Sequence, residues 1–86
     1  MLKVKQLQLV TEYIIKGIYS PESTNVWGNF TVNIKTQEIL DYKLADTEYS
    51  KSYLLKACAK IIDIFEDSQE EFKTLLEKGE FVLAWY

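Results

Sequence analysis

The chain has 86 residues, with ten lysines, no arginine, no histidine and a formal net charge of −3. Without histidine no unperturbed side chain titrates between about pH 5 and 8, which excludes histidine-based acid–base catalysis and Ser-His or Cys-His nucleophiles. Without arginine the two-pronged guanidinium grip on phosphate or carboxylate is missing, and the one cysteine, Cys58, excludes an internal disulfide and a Cys/His zinc site.

Nearly half of the residues are apolar (48%) and 14% are aromatic, far more than a disordered chain carries, so a folded globule is expected. The length allows one small domain over residues 1–86. No disulfide or metal staple supports it, so its stability must come from apolar burial or from a partner chain, which makes a homodimer one expected arrangement. Apolar runs are too short to cross a bilayer, and the segment from Met1 to Val10 interleaves lysine and glutamine with its apolar residues, unlike a signal-peptide core. A cytoplasmic protein with no membrane partner is expected, and a lone cysteine suits a reducing compartment.

In chain order, residues 7 to 19 alternate apolar and polar (Leu7, Leu9, Thr11, Tyr13, Ile15 against Gln6, Gln8, Glu12, Lys16), which predicts a strand. The same region also places Val4, Leu7, Val10, Ile14 and Ile18 at helical spacing, so residues 2–16 read either way, with the strand preferred. Ser20 to Asn25 is a loop leading to a strand at Val26-Trp27. Phe30, Val32 and Ile34, then Leu40, Tyr42 and Leu44, share one phase around Lys35-Thr36-Gln37. That phase predicts a hairpin with Ile34 opposite Glu38, Val32 opposite Leu40 and Phe30 opposite Tyr42 on a buried face, and Gln37 in a left-handed conformation.

From Asp46 or Thr47 as a cap, Tyr49, Tyr53, Ala57, Ile61 and Phe65 recur every four positions beside Leu54, Cys58 and Ile62, predicting a helix over about 47–66. Ser68 followed by Glu71 reads as a capping box for a second helix with Phe72, Leu75 and Leu76 inward and Lys78-Gly79 at its end. Phe81 to Tyr86 is apolar on both faces, as in a strand covered on both sides or buried at an interface. The predicted fold is α+β: a three-stranded antiparallel meander, two helices on one face of the sheet and a C-terminal strand, in the order β-β-β-α-α-β.

Two groups of residues are candidate sites. Asp63, Glu66, Asp67, Glu70 and Glu71 crowd the helix junction as an acidic patch for a basic partner, or serve to offset the dipole of the second helix. They lack the spacing and turn glycine of a calcium loop, and no metal site is expected. Trp85 and Tyr86, with Trp27 and Tyr42, are candidate interface anchors, because large rings dominate binding hot spots. On the apolar stripe of its helix, Cys58 reads as a small hydrophobe with a raised pKa. Gly17, Gly28 and Gly79 are isolated, so no phosphate-cradling loop is present, and Asn29-Phe30-Thr31 reads as part of a strand rather than a glycosylation acceptor.

Residues 1–43 carry +1 and residues 44–86 carry −4, with no basic nucleic-acid footprint; no nucleic-acid partner is therefore expected. With no catalytic set and no cofactor expected, the chain reads as a non-catalytic protein–protein interaction or regulatory module that binds another protein or itself. Small acidic chains of this kind fit accessory proteins of phages or mobile elements. Two alternatives are an acidic inhibitor that mimics nucleic acid before a basic groove, and a small-molecule binder between helices and sheet.

Overall fold

The computed structural model describes residues 2–21, 26–45 and 52–83, except the side chain of Leu83. It has four strands before the helices: β1 (Leu2–Thr11), β2 (Ile14–Ser20), β3 (Gly28–Asn33) and β4 (Glu38–Lys43), then α1 (Ser52–Asp67), α2 (Gln69–Lys78) and β5 (Phe81–Leu83). They form a five-stranded antiparallel sheet in the order β4-β3-β2-β1-β5. Apolar side chains of one sheet face and of both helices make a single core around Leu2, Val4, Ile15, Tyr19, Phe30, Leu54 and Ile61.

The predicted strand over 7–19 is thus corrected to a hairpin turned at Glu12-Tyr13, and the meander has four strands. The reason lies in parity. Leu9 pairs with Ile15, and the five intervening residues include the turn and an extra residue near Val10, so odd positions share one sheet face on both sides of the turn, with Ile15 buried and Leu9 48% exposed at its margin. One uninterrupted alternation therefore runs through a chain reversal. A second irregularity explains the helical reading: between Lys5 and Gln8 the register slips by one, Gln6 takes a positive φ of 55°, and the inward phase changes from Leu2 and Val4 to Leu7. A β-bulge thereby produces the Val4-to-Leu7 spacing that a helix shares.

The β3–β4 hairpin keeps Phe30 opposite Tyr42 and Gln37 at φ 64°, as expected. Its loop is longer than predicted, however. Asn33 pairs with Glu38, and residues 34 to 37 form a turn closed by the Gln37 N–H donating to the Asn33 carbonyl at 2.8 Å. The Asn33 side-chain oxygen accepts from the Lys35 and Thr36 N–H groups, both at 3.0 Å, which stabilises the turn without glycine. A register shift next to Val32 puts that residue opposite Ile39 rather than Leu40, so the expected buried position of Leu40 is wrong; its side chain is 49% exposed.

Both helices follow their patterns. α1 buries Leu54, Ala57, Cys58 and Ile61 and ends at Asp67; the Asp46 or Thr47 cap and Tyr49 lie outside the described residues. Ser68 caps α2 by accepting the Glu71 N–H at 3.2 Å, and Gly79, at φ 72°, ends it with an N–H bond to the Leu75 carbonyl. The Ser68 N–H donates to the Ile64 carbonyl, continuing α1 into the cap. The Gly79 carbonyl accepts the Leu7 N–H at 2.9 Å, and β5 then pairs with β1 over Leu2–Val4. Val82 is exposed, so β5 is an outer strand and not one covered on both sides. No described helix is long and apolar enough to cross a membrane.

Candidate interaction surfaces

β4 lies at one end of the sheet, and among the described residues no strand pairs with its outer side. An outer strand offers a row of backbone donors and acceptors to any extended chain. Here two large apolar side chains accompany that row, Leu40 at 49% and Tyr42 at 40% exposure. Tyr42 shares its face with Phe30 but stands at the sheet margin, where it is partly exposed while Phe30 is buried.

Beside this edge runs a groove of about 460 Å³ between α1 and the end of the hairpin. Ile39, Leu55, Cys58, Ala59 and Ile62 make its apolar wall, and Gln37, Asp63 and Glu66 its polar one. Leu55 is 51% exposed although it lies on a helix whose neighbouring stripe is buried. The Gln37 side-chain amide donates to a Glu66 carboxylate oxygen, which holds that carboxylate at the groove mouth. Cys58 lines the groove but is itself buried, and desolvation pushes its thiol from 9.0 up to about 12. It is packing material, as its place on the apolar stripe implies, and not a thiolate at neutral pH.

The five acidic residues do not line one concavity. Asp63 and Glu66 face the groove beside β4, whereas Glu70 and Glu71 border a different concavity with Ile64, Leu75 and Phe81 near β5. The helix junction at Ser68 directs them apart. Glu70 and Glu71 occupy the first turn of α2, where negative charge suits the helix dipole, and Asp67 is the last residue of α1. Among the described residues no three acidic or thiol groups converge as a metal-holding cluster.

The four candidate aromatics separate too. Trp27 is half-buried, with the Lys5 ammonium 5.4 Å from its ring centroid, and lies just before β3, the strand paired with β4, on the sheet face opposite the helices. Trp85 and Tyr86 lie outside the described residues. Sequence reading missed Leu40 and Leu55 because both sit in apolar patterns that normally mean core. The groove beside β4, about 460 Å³, opens on the surface at the rim of the apolar core that helices and sheet share. Comparison with protein-family models, with curated proteins and with solved structures finds no match to this chain.

Proposed function

We propose that this chain is a non-catalytic protein-interaction module, in a reducing cytoplasmic setting, that docks an extended segment of a partner along β4 and the groove beside it. The observation that carries this reading is the outer side of β4, flanked by exposed Leu40 and Tyr42 and by an apolar groove that ends on Asp63 and Glu66. Strand addition supplies affinity through main-chain hydrogen bonds, and side-chain pockets supply selectivity. The apolar wall suits alternate apolar residues in the added strand. The two carboxylates suit a basic residue between them.

A second reading is that the added strand is β4 of another copy. It is favoured by the charges at the two ends of β4: a twofold antiparallel pair brings Glu38 of each copy opposite Lys43 of the other. Light scattering across a concentration series separates the two. A dimer lost on Leu40→Lys supports self-pairing; a monomer leaves the edge to a different partner.

For that case we expect a ten-residue peptide of alternating valine and lysine to bind, measured by calorimetry. Replacing Leu55 and Glu66 together by lysine is expected to weaken it at least tenfold with the circular dichroism spectrum unchanged. Equal binding of an alternating valine–glutamate peptide would refute the acidic-groove reading.

A further inference from the structure

The strands sort the lysines by parity. Leu2 and Val4 point into the core, so Lys3 and Lys5 project from the opposite face of the sheet. Register then aligns them with others: Lys5, Ile18, Asn29 and Lys43 are successive partners across β1, β2, β3 and β4, and Gln8, Lys16, Thr31 and Asp41 form the next row. Three strand spacings separate Lys5 from Lys43, about 14 Å. The outer face therefore carries Lys3, Lys5, Lys16 and Lys43, with Asp41 in the second row and Glu80 sharing a concavity with Lys3 and Lys5 on the β5 side. Among the described residues, Asp63, Glu66, Asp67, Glu70, Glu71 and Glu77 place most of the acid on the helices behind the sheet.

This face has more than charge. Between the two rows is a concavity of about 290 Å³ walled by Gln8, Lys16, Ile18, Asn29 and Thr31, with amide and hydroxyl groups around an apolar floor. On the same face the Lys5 ammonium lies 5.4 Å from the centroid of the half-buried Trp27 ring. Lysines in rows, one indole and side-chain amides on an open antiparallel sheet are the components with which proteins hold unpaired nucleotides: cations for the backbone, rings and apolar floor for base faces, amides for base edges.

We propose that the outer face of the sheet binds single-stranded nucleic acid, with backbone phosphates on Lys5, Lys16 and Lys43 and a base stacked at Trp27. This goes beyond the β4-edge reading and uses different residues. The net charge of −3, which argued against such a partner, averages two unlike faces. At physiological salt, fields fade over about 8 Å, so a bound strand meets the nearby lysines more strongly than the helices behind them. A duplex is a poorer fit because groove reading requires a protruding helix or ribbon, and this face is an open sheet. An acidic polypeptide would satisfy the lysines but leave the indole without a stacking partner.

The test is fluorescence anisotropy with a labelled 12-nucleotide oligothymidylate on the full chain. Single-strand binding is expected with a log–log salt slope of about −2 to −3, corresponding to three or four phosphates, together with quenching of tryptophan emission that Trp27→Phe abolishes. Lys5→Glu with Lys43→Glu should weaken binding at least tenfold, whereas Lys60→Glu with Lys73→Glu, an equal charge change on the helices, should stay within twofold. Absence of binding, equal losses in the two double variants, equal affinity for a duplex, or full competition by polyglutamate would each overturn the proposal.

Discussion

Gly28 shows how a single side chain would disturb the fold. A Cβ there would lie 2.5 Å from both the Lys43 carbonyl oxygen and a Tyr19 ring carbon, and 2.7 Å from the Ala45 nitrogen. Two of these neighbours are backbone and the third is a buried ring whose hydroxyl accepts the Ala45 N–H at 3.2 Å, so none yields readily. Gly28→Ala is expected to lower stability by roughly 2–3 kcal/mol in urea unfolding, the range for overpacking a tight site. Cys58 gives a pH-dependent counterpart. With its thiol raised to about 12 in the fold from 9.0, the unfolded chain loses the proton first as pH rises, so the thiol's contribution is intact below pH 9 and falls away between 9 and 12. Between pH 8 and 10 this amounts to roughly 1 kcal/mol. Cys58→Ala should reduce the pH 8-to-10 loss of unfolding free energy by that amount; an unchanged loss would mean the thiol ionises as freely folded as unfolded.

At the scale of elements, legibility depended on whether a pattern meets an interruption. The helical stripe of α1 from Tyr53 to Phe65 and the Ser68 and Gly79 boundaries of α2 were readable because helix periodicity and caps are local chemistry. The strands were harder because bulges change the phase without changing the composition. The slip at Gln6 imitates a helix, the extra residue near Val10 hides a turn that lacks glycine, proline or asparagine, and the shift beside Val32 moves Leu40 out of the core. Such bulges favour glycine at the left-handed position, and Gln6 holds it at φ 55°. Gln6→Gly is therefore expected to raise stability by up to about 1 kcal/mol, the left-handed strain removed less the entropy that glycine loses. A decrease in the thermal midpoint would show that the Gln6 side chain contributes more than its backbone costs. Ser68→Ala, which removes the α2 cap, should cost about 1 kcal/mol by the same measurement.

For the whole molecule, what the sequence concealed was the distribution of charge over faces. The difference between the basic first half and the acidic second half was visible, yet only the sheet register shows that Lys5 and Lys43, 38 positions apart in sequence, share one row. Likewise Asp63 to Glu71 crowd together along the chain and diverge in space, because the break at Ser68 turns α2 away from α1. Of the interface candidates within the described residues, Tyr42 is partly exposed at the β4 edge and Trp27 is half-buried on the outer face, a separation that their sequence positions do not reveal. The exposure of Leu40 and Leu55 was unreadable because it follows from a bulge in β4 and from the end of the sheet.

The most direct test of docking at β4 is an amide chemical-shift titration of the isotopically labelled protein with the valine–lysine peptide, followed by hydrogen exchange of the complex. Shifts confined to residues 37–43 and to the groove face of α1, with new protection of β4 amides that exchange quickly in the free protein, are the predicted result. Shifts centred elsewhere, or binding that leaves β4 exchange unchanged, would contradict strand addition at this edge.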